Sequence, residues 1–158
     1  MPVKNSPVST SDREIVTTRV FDAPRELVWK AWTDQKHVEI WWGPKGFTNT
    51  FKKFEVKRGG KWVFIMHGPD GVDYPNRIVF EEVVKPERLV YAHSGDTDND
   101  PAQFHTTVTF AEVKRKTQVT MRAVFPTAEQ RDLVVTKYGA VEGAKQTLDR
   151  LEAHLKKM

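Results

Sequence analysis

Apolar positions change period several times along the chain, and each change predicts a new element. From Glu14 to Phe21 the stretch EIVTTRVF is rich in β-branched residues and predicts a strand; Asp22-Ala23-Pro24 then reads as a helix start with proline at the first helical position. Leu27, Val28, Ala31 and Trp32 recur three and four apart, giving an apolar helix face that Trp29 widens and that runs to about Thr33. Thr33-Asp34 caps a second short helix through His37 and Ile40, which Gly43-Pro44 stops after Trp41-Trp42.

Hairpins follow. Strands over Phe47 to Val56 and Lys61 to His67 flank Arg58-Gly59-Gly60, whose glycine pair suits a tight turn. Pro69-Asp70-Gly71 turns into a strand over Val72 to Val84, and Lys85-Pro86-Glu87 into another over Arg88 to His93. Gly95 to Pro101 has no apolar residue and predicts an exposed loop, before alternating strands over Phe104 to Val113 and Thr117 to Phe125. Thr127 with Gln130 is a capping-box pattern, and Val134, Tyr138, Val141, Ala144, Leu148, Leu151 and Leu155 predict one helix of about 30 residues, hence about 45 Å. The order predicts an α+β fold, β-α-α-β6-α, in which a curved antiparallel sheet of about seven strands grips one long C-terminal helix. Such a sheet encloses more volume than one helix fills, so a cavity is expected.

The 158 residues show no internal repeat, and predict a single domain over 13–158 behind a disordered leader over 1–12 rich in Pro, Ser and Thr. The chain has no cysteine, which excludes disulfides, a catalytic thiol and thiolate metal sites. No run approaches the roughly 20 apolar residues that cross a bilayer, and the start has no apolar signal core, so a cytoplasmic protein without membrane insertion is expected. A net charge of +4 is spread over clusters such as Lys114-Arg115-Lys116 at turns and ends, which is no nucleic-acid footprint.

Candidate chemistry is sparse. The five histidines have no ligand spacing such as HxH or HExxH, and no metal or cofactor is expected. His93 and His105 flank the polar loop and would face each other in one hairpin register, while a slip of one residue places them on opposite faces. Ser94-Gly95 lacks a GxSxG elbow, and Asp73, Glu81, Glu82 and Glu112 suit a solvated strand face, so no catalytic residue is assigned.

Aromatic residues carry more. Five tryptophans, nine phenylalanines and three tyrosines mean either a dense core or an aromatic-lined hole. Trp29 and Trp32 fit packing of helix on sheet. The candidate pocket lining is Trp41, Trp42 and Phe47 where the short helices meet the sheet, Trp62, Phe64 and Met66 on one strand face, and Tyr91, Phe104, Met121 and Tyr138 completing a wall. Tyr74, Asn76 and Arg77 add polar tips. Val63 and Ile65 make the other face of their strand apolar too, for which a homodimer contact is one candidate cover.

Phe21-Asp22-Ala23-Pro24 leading to Val28-Trp29, Thr33-Asp34, Trp41-Trp42-Gly43-Pro44, Gly59-Gly60-Lys61-Trp62, Pro86-Glu87-Arg88-Leu89, Val108-Thr109-Phe110 and Glu142-Gly143 occur in one order over nearly the whole chain. Together they resemble the helix-grip or START-like (SRPBCC) superfamily, and within it bacterial proteins similar to the C-terminal domain of the activator of heat-shock-protein-90 ATPase. The resemblance implies a cavity between sheet and terminal helix that binds a small, largely apolar or aromatic molecule. It leaves two alternatives: a cyclase- or hydrolase-type enzyme using the same cavity, for which Arg77 and His93 are the available ionisable groups, and a module that stimulates a chaperone ATPase. The family often carries a bulky aromatic directly after the helix glycine, where this chain has Ala144. Gly139, Ala140, Gly143 and Ala144 thus form a small-residue stretch, read either as close helix-to-sheet approach or as a widened cavity.

Overall fold

A computed structural model describes residues 11–95, 100 and 103–158. The expected leader, apart from its last two residues, and most of the polar loop after Gly95 lie outside the described residues. The strands are β1 (Glu14–Phe21), β2 (Thr48–Phe54), β3 (Lys61–His67), β4 (Asp73–Val84), β5 (Arg88–Ser94), β6 (Phe104–Val113) and β7 (Lys116–Val124), and the helices are α1 (Arg25–Thr33), α2 (Gln35–Trp41), α3 (Ala128–Tyr138) and α4 (Ala140–Leu155). The strands form one antiparallel sheet in the order β1-β7-β6-β5-β4-β3-β2, so the first strand closes beside the last. Irregularities at Phe51/Lys53 in β2 and Phe80/Glu82 in β4 insert a residue and bend the sheet.

Alternation along each strand decides which side chains meet the helices. Phe21, Trp62, Phe64, Ile78, Phe80, Leu89, Val108, Phe110 and Val119 are buried against Val28, Trp32, Trp41, Leu148 and Leu151 of α1, α2 and α4. Trp29 and Trp32 pack edge-on to Phe110, at 5.3 and 5.9 Å between ring centroids, as expected for helix on sheet. The Asp34 side chain accepts from the Lys36 N–H and starts α2.

The terminal helix differs from expectation. Thr127 caps α3 through the Gln130 N–H, but the helix stops at Gly139, whose φ of 61° and ψ of 41° are left-handed. The Gly139 N–H turns back to the Val134 carbonyl, a helix termination that glycine allows without a Cβ clash. The apolar steps of three and four continue across this break, and therefore hide it. Only α4 carries the buried stripe Leu148, Leu151, His154 and Leu155, whereas α3 has no buried residue. No helix among the described residues is long and apolar enough to cross a membrane.

Candidate functional site

Beneath the first turns of α4 the concave sheet is not filled. A cleft of about 250 Å³ lies between α4, the start of the loop after α2, and the ends of β1, β3, β5, β6 and β7. The small residues Ala140, Gly143 and Ala144 form its helical side. Three of the four small residues of that stretch thus border open space, while Gly139 forms the helix break. Tyr138, at the end of α3, is 62% exposed and stands at the mouth. Among the described residues no Asp, Glu, Lys or Arg lines the cleft. Two other depressions differ: one is edged by Asp22, Glu152 and Lys156, the other by Arg13, Asp100 and His105.

Of the twelve residues singled out as lining, Trp42, Met66, Tyr91, Phe104, Met121 and Tyr138 border this cleft. The other six do not. Trp41 is fully buried between the short helices, its ring 4.8 Å from that of Trp32 and its Nε1–H donated to the Ala31 carbonyl at 2.9 Å. Trp62 and Phe64 belong to the core under the β2–β3 hairpin, where they stack on Phe54 and Phe51 at 4.7 and 4.8 Å. Phe47 meets Tyr74 at 6.0 Å beyond the cleft, and Tyr74 is 38% exposed. Arg77 lies between Asn76 and Ile78 on β4, and the pleat sends it to the opposite face.

The residues missed are mostly small or polar: Ile15 and Thr17 of β1, Ala123 and Phe125 at the end of β7, Thr106 and Thr147; His93, named only as an ionisable group for the enzyme alternative, lines the cleft as well. The β1 and β7 pair is brought in only by the closing of the sheet, a pairing of sequence-distant strands that no local pattern signals.

His93 is opposite Phe104 and His105 opposite Ala92, so the two histidines fall on opposite faces and cannot pair. His105 reaches Glu81 at 3.0 Å on the outer side. His93 faces inward among Phe64, Tyr91 and Phe104, and its Nε2 is 2.8 Å from Oδ1 of Asn76. Burial lowers its pKa from 6.5 to about 4, so the ring is neutral at pH 7. Burial likewise raises the Tyr91 phenol, although the hydroxyl of Thr106, its cross-strand partner, opposes the shift. Elsewhere, Thr50, His67 and Asp73 form a hydroxyl–imidazole–carboxylate chain with contacts of 2.7 and 2.8 Å. It borders none of the three depressions and reads as cross-strand bonding. No group of three or more His, Asp or Glu among the described residues is placed to hold a metal.

Residues 22–156 match the family described as activator of Hsp90 ATPase homolog 1-like protein. The chain belongs to this family. Solved structures with the same helix-grip fold include a solution structure of a protein from Arthrobacter aurescens, 25% identical, TM-score 0.86, covering 99% of this chain and 94% of that one. Another, from Staphylococcus epidermidis, is 28% identical with a TM-score of 0.80, covering 92% and 90%. The AHSA1 protein from Silicibacter pomeroyi, at 19% identity and a TM-score of 0.74 over 90% of this chain and 97% of that one, shares the fold. No curated protein matches the chain.

Within this fold the Trp42-Gly43-Pro44 segment, which forms one lip of the cleft, is held by a single side chain of α4. Nη1 of Arg150 donates to the carbonyls of Trp42, Gly43 and Pro44 at 3.2, 2.9 and 3.0 Å, and Nη2 to Ile40 at 2.7 Å. The guanidinium thereby meets carbonyls where α2 ends, joining Asn49 Nδ2 on that of Trp42 at 2.8 Å and the Phe47 N–H on that of Pro44 at 3.1 Å, and a planar fork suits several acceptors at once. The segment calls for glycine at position 43, because its φ of 97° is reserved for glycine and a Cβ there would lie 2.8 Å from Cε of Met66. Arg150→Met is expected to cost about 2 kcal/mol of stability, and Arg150→Lys to recover less than half of it, because a point charge does not span the fork. Urea unfolding of both variants checks this.

Proposed function

We propose that the protein binds a small, largely apolar molecule in the cleft beneath α4. The observation that carries this reading is a cleft of about 250 Å³ walled by Trp42, Met66, Phe104, Met121 and Phe125, with Tyr91, His93 and Thr106 as polar tips and no charged group among the described lining. Apolar walls with a few placed polar groups are what ligand pockets require, and burial of ligand surface at about 25 cal/mol per Å² supplies the affinity. The family likeness supports a cavity protein without naming a ligand, since one fold hosts many functions.

The enzyme alternative would have to rest on His93, because Arg77 faces away. A ring whose pKa is about 4 is a weak base at pH 7, and the cleft lining offers it no carboxylate partner. Binding therefore has the stronger support.

The test is to fill the cleft. Ala144→Trp is expected to leave the fold intact, because the added ring enters open space, and to weaken binding of two-ring hydrocarbons at least tenfold by isothermal titration. Equal affinity in both chains, or no uptake of any apolar ring compound by the unaltered protein, would overturn the proposal.

A further inference from the structure

The polar tips of the cleft have a defined direction of hydrogen bonding. Asn76 Nδ2 donates to the Tyr74 carbonyl at 2.8 Å, which fixes the amide so that Oδ1 faces His93. An amide oxygen only accepts, so the Nε2 of His93, 2.8 Å away, must carry the proton. In a neutral ring the proton is then absent from Nδ1, which is a lone-pair acceptor. No hydrogen bond to Nδ1 is formed by any described residue, and His93 keeps part of its surface open where it lines the cleft. Tyr91 lies two residues away on the same strand face, its ring 6.3 Å from that of His93; the Thr106 hydroxyl donates to its oxygen, and the phenol stays protonated with its own O–H left to donate.

An acceptor and a donor side by side in an uncharged, aromatic-walled cleft match one group that both donates and accepts. We infer that the cleft selects neutral ring compounds carrying a hydroxyl, a phenol or a ring alcohol, which donates to Nδ1 of His93 and accepts from Tyr91. This rests on the cleft being the binding site and adds the chemical class of its ligand. Carboxylates fit poorly, because they bring a charge that no cation in the described lining meets and offer Nδ1 only another acceptor. Amines, cationic in water, find no carboxylate there. The volume admits about eight waters, or a fused two-ring system of similar bulk.

The probes are 2-naphthol, 2-methylnaphthalene and 2-naphthoate, titrated calorimetrically into the protein. In a purely apolar cleft the methyl compound binds roughly tenfold tighter than the alcohol, because a buried hydroxyl without partners loses its hydration. Here 2-naphthol is expected to bind at least as tightly as 2-methylnaphthalene, and 2-naphthoate at least tenfold more weakly than 2-naphthol. His93→Phe is expected to lower the affinity for 2-naphthol about tenfold relative to that for 2-methylnaphthalene. Asn76→Ala, which releases the tautomer without altering the ring, is expected to erode the preference part of the way should the His93 variant fail to fold. A tenfold preference of the unaltered protein for the methyl compound, or an unchanged ratio of the two affinities in His93→Phe, would overturn the hydroxyl inference while leaving the cleft reading in place. Failure of both neutral compounds to bind would overturn the cleft reading itself.

Discussion

Trp62→Ala is expected to lower the free energy of unfolding by about 4 kcal/mol, the upper part of the range for truncating a buried aromatic. The ring is 1% exposed, stacks on Phe54 at 4.7 Å and meets Trp42, Phe51, Phe64 and Phe80 edge-on at 5.3, 5.8, 6.4 and 5.4 Å. Removing it leaves a hole in rigid surroundings that relax only partly. Trp62→Phe is expected to cost much less, roughly 1 to 2 kcal/mol. The indole Nε1–H is buried without a partner, so its loss offsets part of the lost contact. Urea unfolding of the three chains gives the order directly. Because Trp62 does not border the cleft, affinity of Trp62→Phe for apolar rings should stay within about twofold of the unaltered protein, whereas substitution of Met66 or Met121 should move it. Comparable losses from Ala and Phe would mean that a phenyl ring recovers none of the packing and that the unpaired N–H costs the folded chain little.

Trp62 also shows why the aromatic residues could not be divided from local pattern. Trp62, Phe64 and Met66 share one face of β3, yet the first two are core and only the third reaches the cleft, because the helices cover one end of the strand and not the other. Trp41 and Trp42 are neighbours in sequence, but a turn of about 100° per residue as α2 ends sends one into the core and the other to the cleft. What periodicity does transmit is the element order: β1, β3 and β6 occupy the ranges that alternation predicts, and the sheet has the expected strands. Gly139 illustrates the opposite case. A left-handed residue interrupts the helix without disturbing the spacing of its apolar positions, and the resulting step lets Ala140, Gly143 and Ala144 face the sheet across open space. Arg150 had no sequence signal because its partners are backbone carbonyls about 110 residues earlier in the chain.

Acid should unfold the protein partly through His93. Its pKa is about 4 in the folded chain against 6.5 ordinarily, the cause being burial among Phe64, Tyr91 and Phe104 with Asn76 as a neutral partner. Between those values the unfolded chain binds a proton that the folded chain does not, so stability falls as pH falls through the window and is insensitive to this group above about 7.5 and below about 3. The full shift corresponds to roughly 2 to 3 kcal/mol, allowing for the part of the ring that faces the cleft. His154 works in the same direction, lowered by burial and then by the charges of His37 and Lys157, so it contributes a background slope that a His93 variant retains. His93→Gln keeps an N–H for Asn76 and removes the titration. Between pH 7.5 and 4.5 it is expected to lose about 2 kcal/mol less than the unaltered protein in urea unfolding, the comparison cancelling His154 and the surface carboxylates. Equal losses would mean that His93 takes up its proton in the folded cleft near pH 6.5, and then Nδ1 would be a donor at mildly acid pH. A ring that instead stays neutral to about pH 4 keeps its lone pair toward the cleft across the physiological range, which is the condition for accepting a ligand hydroxyl.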